Sequence, residues 1–167
     1  MARLIDLAVT KVSWVATIAN VNAPATAVEL NAGTTKDLGI YLTTGYKLGM
    51  EDSDTVSEKS ITETAQIDVP TIQKYSGSLE LFRDYTTGVP SASDFTSYFA
   101  GANEAGYIVR RVGLPSTTAY ASGQKMEVYK FVADPPHLTG GTGSGYVKGT
   151  VKLLPQGVFS LTATAGT

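Results

Sequence analysis

Few residues of this chain could do acid–base chemistry, and the clearest of them is a single histidine. His137 stands in ADPPHLTGG and would have to be the base of any Ser–His–Asp system. Two prolines and a glycine-rich run surround it, which predicts a solvent-facing loop instead of a catalytic base. The chain has no cysteine, which excludes disulfides, thiolate metal sites, iron–sulfur clusters and cysteine nucleophiles.

The acidic segment MEDSDTVSE, residues 50–58, is the candidate for a metal site with oxygen ligands. It supplies Glu51, Asp52, Asp54 and Glu58. The segment lacks the mid-loop glycine that a calcium loop requires for its sharp turn. The glycine run GGTGSG likewise lacks the Lys-Ser/Thr pair of a phosphate-binding loop. We therefore expect no metal and no cofactor.

A pair of carboxylates, Glu80 and Asp84, could suggest glycoside hydrolysis. On one strand they would share a face but lie ~13 Å apart, at ~3.3 Å per residue, which exceeds the separation that this chemistry uses. The arginines Arg83, Arg110 and Arg111 are better explained as ion-pair partners. No combination of residues indicates catalysis, so we expect a protein that is not an enzyme.

Hydrophobic side chains alternate along much of the chain, which predicts β-strands. In QKMEVYKFVA, Met126, Val128 and Val132 fall on one face of a strand, and Glu127 and Tyr129 on the other. Similar patterns predict strands at 10–18, 38–44, 78–84 and 106–113, and a C-terminal hairpin that turns at PQG, residues 155–157.

One segment has a helical period. Residues 91–100 place Phe95, Tyr98 and Phe99 on one stripe, with Ser91 or Ser93 as the N-cap and Asp94 in the first turn. Residues 45–66 show no period and predict a long acidic loop. The expected fold is mainly β: a single domain over 1–167 built as a β-sandwich or barrel, with one short flanking helix and an N-terminal segment over about 1–35.

The charge distribution is uneven. Between Glu51 and Asp68 six acidic residues and one lysine give a local net charge of −5, and the remaining twelve basic and nine acidic residues give +3. An acidic segment on a mildly basic body is typical of head-to-tail association between identical copies, which builds rings or filaments. An acidic loop that only aids solubility is the alternative. The overall charge of −2 argues against a nucleic-acid binder.

Several stretches together resemble the tail tube proteins, or major tail proteins, of long-tailed phages, especially those that infect actinobacteria. They are VSWVATIANVNAPATAVELNAGTTKDL (12–38), the acidic loop, SGSLELFRDY (76–85), the helix, GYIVRRVG (106–113) and SGQKMEVYKF (122–131). The resemblance covers most of the chain. The C-terminal decoration domain that some members carry is not expected here.

The resemblance implies a structural virion protein of a non-contractile tail. Six copies would form a ring, rings would stack helically, and the hollow tube would conduct double-stranded DNA during ejection without specific binding. Glu51, Asp52, Asp54 and Glu58 would contact the adjacent ring. Tail tip or baseplate, tape-measure and tail terminator proteins would be further partners.

A conduit for DNA should carry neutral or acidic side chains on its lumen, because the duplex is densely negative. Glu80, Asp84 and Glu127 are the candidates for this surface. No signal peptide and no apolar stretch of ~20 residues is recognisable, so we expect assembly in the host cytoplasm and no membrane insertion. Two alternatives stay open: the inner tube of a contractile tail, and a β-sandwich binding module such as a receptor-binding, decoration or adhesin domain.

Overall fold

Alternating side chains produce strands over most of the residues that the structure describes. This computed structural model describes residues 8–59, 61, 67–86, 88–91, 94–101, 103–139 and 145–167. The strands within these ranges are β1 (Thr10–Val15), β2 (Lys36–Asp37), β3 (Lys47–Glu58), β4 (Ile67–Phe82), β5 (Tyr85–Thr86), β6 (Val89–Pro90), β7 (Glu104–Val112), β8 (Lys125–Ala133), β9 (His137–Thr139) and β10 (Lys148–Thr164). A π-helical turn covers Thr26–Leu30, and helix α1 covers Phe95–Tyr98.

One antiparallel sheet forms the body of the molecule. Its strand order is β2-β1-β7-β8-β10-β4-β3, and β9 continues the line of β8 by pairing with the start of β10. Strands β5 and β6 make a separate small ribbon. The predicted mainly β fold with one short helix is confirmed. No helix in the described part of the chain has the length and apolar character needed to cross a membrane.

Residues 38–43 close the curved sheet into a barrel. The backbone N–H of Leu38 donates to the Val12 carbonyl on β1, at 2.9 Å, and the N–H of Thr43 donates to the Glu80 carbonyl on β4, also at 2.9 Å. Residues 38–43 therefore form hydrogen bonds to β1 on one side of the gap in the sheet and to β4 on the other. The prediction of a strand over 38–44 is wrong, because these residues turn between the two strands and form only an isolated bridge from Leu42 to Leu81.

The barrel buries side chains on both faces of its sheet. The interior holds the larger cluster, formed by Val12, Trp14, Leu38, Tyr75, Leu79, Leu81, Phe95, Phe99, Ile108, Tyr129, Phe131, Ala133, Val151 and Leu153. A smaller cluster covers part of the outer face and is formed by Val15, Ile18, Leu30, Val109, Tyr120, Met126, Val128, Ala163 and Ala165. Gly106 lets the interior pack this closely, since a Cβ there would lie 2.4 Å from Cζ2 of Trp14.

Strand β8 contributes to both clusters. Met126 and Val128 belong to the outer cluster, whereas Tyr129 and Phe131 fill the interior. The predicted division is confirmed for Met126 and Val128, which share one face, and the face of Tyr129 is buried as well. The π-helical turn and the 113–123 loop cover the first half of the outer face, and this cover is a tertiary feature that alternation along β8 does not encode.

The C-terminal hairpin predicted at PQG is also wrong. Residues 148–164 form one continuous strand, and the register against β8 shifts between Pro155 and Phe159. The residues that were expected to turn instead form a bulge, in which Gly157 takes φ +70°. The chain keeps running in one direction, since its pairing with β8 resumes at Phe159, and the hydroxyl of Tyr75 accepts hydrogen bonds from two backbone N–H groups of the bulge.

Helix α1 is shorter than the predicted 91–100. It spans four residues, and its N-cap is Asp94, whose side chain accepts from the Thr96 N–H at 2.9 Å. Ser93 lies outside the described residues, and Ser91 precedes the cap. The aromatic stripe is confirmed in its packing, because Phe95 and Phe99 are fully buried. The ring of Phe99 meets Trp14 edge-on at 5.1 Å.

Candidate assembly surfaces

The acidic segment forms part of a projecting two-stranded arm. We define the arm as residues 50–58 of β3 and 67–76 of β4. The two strands pair antiparallel from Lys47–Ser78 to Glu58–Ile67. Ten residues of β4 at ~3.3 Å each give the arm a length of about 30 Å. The prediction of a loop over 45–66 is corrected for residues 47–58; residues 60 and 62–66 lie outside the described chain.

The arm is exposed and acidic. Glu51, Asp52, Asp54 and Glu58 are all exposed on β3, and their contact to an adjacent ring stays a prediction. The arm carries five acidic residues and one lysine. That lysine, Lys74, lies 2.5 Å from Asp54, and both side chains are about half exposed. Such pairs contribute at most ~1 kcal/mol, so the acidic character of the arm remains available to a partner.

Apolar side chains lie among these charges. Val56 and Val69 are cross-strand partners and are 47% and 54% exposed, and Ile72 is 59% exposed. In the described chain, β4 pairs with β10 only from Gly77 onward, so the two strands of the arm pair with each other alone. An unpaired strand edge with exposed valines is a surface that another chain can cover.

Two groups hold the base of the arm against the barrel. Arg110 on β7 donates through Nη1 to the Leu48 carbonyl on β3 at 3.1 Å, and its other nitrogens bind the carboxylate of Glu127. Tyr75 on β4 is 3% exposed and packs among Tyr129, Phe131 and Phe159. Nothing in the sequence marks Tyr75 as functional, because a tyrosine within an alternating strand looks like ordinary core.

The three carboxylates predicted for a lumen do not share one face. Glu80 points to the outer face of the barrel, where the Thr43 hydroxyl donates to it and Lys148 lies 3.5 Å away. The Thr43 hydrogen bond, followed by the charge of Lys148, holds the pKa of Glu80 below its usual range. Glu127 faces inward and is paired with Arg110. Asp84 follows the end of β4 and accepts a hydrogen bond from the Ser91 hydroxyl.

The end of the barrel opposite the arm carries an exposed apolar patch. Residues 75 and 82 of β4 are separated by about 20 Å of extended chain, so the arm and the Phe82 end of the strand lie far apart. Around Phe82, the side chains of Leu138, Tyr146 and Val147 are exposed, and the ring of Tyr146 lies 5.4 Å from that of Phe82. We name Leu138, Tyr146 and Val147 the apolar end patch.

Two buried tyrosines make stability depend on alkaline pH. Burial is the main cause that raises the pKa of Tyr120 and of Tyr129 to about 12 each. The unfolded chain loses these protons near pH 10, so the stabilisation is present below pH 10 and is lost as the pH rises towards 12. We expect the free energy of unfolding to fall by about 2–3 kcal/mol per tyrosine across this range.

Urea unfolding at half-unit steps from pH 9 to 12 measures this dependence. The Tyr120→Phe variant removes one of the two ionisable groups and should show a shallower decline than the native chain. A free energy of unfolding that stays constant between pH 10 and 12 would contradict the assignment of these two tyrosines.

Comparison with known proteins agrees with this architecture. The family model described as phage tail tube protein matches residues 1–167. A search of curated protein sequences gives no match. Among solved structures, a chain in the cryo-EM structure of the anti-feeding prophage (AFP) baseplate, 6-fold symmetrised, superposes with a TM-score of 0.57, 11% identity and 96% of each chain covered. At this identity the superposition shows a shared fold. Because the family match spans the full length, the chain belongs to the phage tail tube protein family, a family of structural virion proteins and not of enzymes.

Proposed function

We propose that this protein is the subunit of a phage tail tube, in which six copies form a ring and the rings stack helically around a channel for double-stranded DNA. The observation that carries the proposal is the arm. A strand pair about 30 Å long, paired only with itself in the described chain and lined with exposed valines and carboxylates, has the form of a contact to another copy.

The positions of the two surfaces favour head-to-tail stacking. The arm leaves one end of the barrel, and the apolar end patch lies at the other. Two different surfaces at opposite ends make a heterologous interface, which extends into a filament instead of closing as a dimer. In this arrangement the arm, with Glu51, Asp52, Asp54 and Glu58, reaches the adjacent ring and its valines cover the end patch of a neighbour.

For the DNA channel, the outer face of β4 and β10 is the surface that we assign to the lumen. Of the three candidates, Glu80 lies on this face, whereas Glu127 is neutralised by Arg110 inside the barrel and Asp84 lies beyond the strand. Glu80 shares this face with Lys148 and with the exposed Lys152, so the net charge of the face is close to neutral and it has no dense row of cations that would hold the duplex. Tail tip, tape-measure and tail terminator proteins are the expected partners of the assembled tube.

A non-contractile tail is the setting that we propose, with assembly in the host cytoplasm and an actinobacterial host. The likeness to a chain of the anti-feeding prophage baseplate favours a second candidate, the inner tube of a contractile-type device. A sheath protein encoded beside this chain would identify that second setting.

Negative-stain electron microscopy of the purified protein over a concentration series tests the proposal. We expect hollow tubes or six-fold rings that lengthen with concentration, either unaided or after addition of the tail-tip complex as an initiator. Monomers or closed dimers at every concentration, with the initiator present, would contradict a tube subunit and favour the binding module.

A further inference from the structure

A buried, hydrogen-bonded tyrosine lies at the base of the arm. The ladder between β4 and β10 ends at Gly77, so β4 has no neighbour on that side from residue 76 outward in the described chain. Tyr75 is the first buried side chain beyond that point, at 3% exposure. Any restraint on the direction of the arm from this side has to act through Tyr75.

The Tyr75 hydroxyl contacts two different strands of the barrel. It donates to the Lys130 carbonyl on β8 at 2.7 Å, and it accepts from the backbone N–H groups of Gln156, at 2.9 Å, and Val158, at 3.2 Å. These N–H groups belong to the bulge of β10, where the register against β8 shifts. One hydroxyl therefore occupies the gap that the bulge opens and ties the arm to both strands.

In the part of the chain that the structure describes, an open pocket separates the arm from the bulge. A cavity of about 260 Å³ lies between them and is lined by Glu51, Gln73, Lys74, Tyr75, Pro155 and Gly157. Among the described residues no side chain packs into this space, so the restraint on the arm at this point comes from Tyr75, whose hydroxyl contacts add to the packing of its ring. On the β3 side the Arg110 contact to the Leu48 carbonyl supports the base but lies inside the barrel.

We propose that the Tyr75 hydroxyl is the positioning group of the arm: by joining β8 to the bulge of β10 it fixes the direction in which the arm leaves the barrel. A fixed direction lets the arm meet a neighbouring subunit without first losing conformational freedom, which strengthens association. This second step rests on the proposed function, whereas the fixed direction of the arm does not.

The test compares Tyr75→Phe with Tyr129→Phe. Tyr129 lies in the same aromatic cluster, but its hydroxyl donates to Glu127 and does not touch the arm or the bulge. Spin labels at Val69→Cys on the arm and Leu161→Cys on the barrel report the direction of the arm, and the absence of native cysteines makes both labels unique. Electron–electron double resonance measures the distance distribution, and pelleting measures the critical concentration for assembly.

We expect a narrow distance distribution in the parent protein and in Tyr129→Phe, and a broadened one in Tyr75→Phe. The critical concentration should rise about tenfold in Tyr75→Phe, the factor that corresponds to the loss of one hydrogen-bonded group. Amide hydrogen exchange at residues 156 and 158 should accelerate in Tyr75→Phe alone.

Two results would overturn the proposal. One is a broad distance distribution in the parent protein, which decides the question even if Tyr75→Phe fails to fold. The other is a Tyr75→Phe distribution as narrow as that of the parent. If the parent protein forms no tubes at all, the proposed function fails, and the distances still decide whether the hydroxyl positions the arm.

Discussion

Replacing residues 51–74 by an Asn-Gly turn leaves a folded barrel that no longer forms tubes. Met50 and Tyr75 are direct cross-strand partners, so a two-residue turn can join them without changing the register of the strands below. The described residues within this span include no member of the two buried clusters, and Tyr75 is kept. The near-UV circular dichroism and the midpoint of urea unfolding should therefore stay close to those of the native chain, while electron microscopy shows single particles at every concentration.

A milder pair of variants tests the apolar contacts of the arm while the arm itself is kept. Val56→Thr combined with Val69→Thr keeps the strand pairing and removes two exposed apolar contacts. Val112→Thr changes a valine at the end of β7 on the barrel that is 47% exposed, as Val56 is. We expect a higher critical concentration for the arm variant alone. Equal effects of the arm variant and of Val112→Thr on the critical concentration would mean that general surface hydrophobicity drives assembly. For the replacement of residues 51–74, a variant that unfolds would show that the arm is part of the core.

Breaking the ion pair between Arg83 and Asp94 should lower the free energy of unfolding more than any surface substitution does. The two side chains are 3% and 0% exposed, and Nε of Arg83 lies 2.9 Å from Oδ2 of Asp94. The same carboxylate caps helix α1 at Thr96 and accepts from the Asp84 N–H at 2.8 Å. Asp94→Ala leaves a guanidinium buried without its partner, and we expect a loss of about 3–5 kcal/mol in the free energy of unfolding.

Asp54→Ala is the matched control. It removes an aspartate that is also paired with a basic residue, but at an exposed site, where we expect a loss of ~1 kcal/mol or less. Urea unfolding at neutral pH measures both. A cost for Asp94→Ala no greater than that for Asp54→Ala would mean that water reaches the Arg83 site.

Acid should weaken the same interaction. Burial on its own raises the pKa of Asp94, but hydrogen bonds from Thr96, Arg83 and the Asp84 backbone outweigh it and hold the pKa below its usual value. A depressed pKa in the folded state contributes stability above the usual pKa of aspartate, and this contribution is lost as the pH falls through the folded value. The difference between the native chain and Asp94→Ala should therefore shrink in acid.

Sequence reasoning identified the mainly β fold because most strands of this barrel have at least one buried face. Alternation predicts β1, β7 and β8 well, since Trp14, Ile108 and Phe131 must all reach the interior. The aromatic stripe of Phe95, Tyr98 and Phe99 likewise locates helix α1, although it overstates its length. In these segments the burial that stabilises the element is also what shapes the sequence pattern.

The arm had no such signal. Residues 51–58 are mostly exposed on both faces, and their strand conformation depends on backbone pairing with β4, which any non-proline residue can provide. Their composition nevertheless indicated a surface segment, because acidic residues are seldom buried without partners. The sequence thus located the candidate contact surface but not its conformation.

By itself, then, the sequence determined the fold class, the short helix and the exposed acidic character of the arm, since each depends on which side chains must leave water and which must stay in it. The tertiary structure alone decided that residues 38–43 close the barrel, that β10 runs through PQG as a bulge, and that Tyr75 joins the arm to that bulge. All three depend on hydrogen bonds to backbone groups of residues distant in sequence, and a backbone N–H or carbonyl carries no signature in the side-chain pattern.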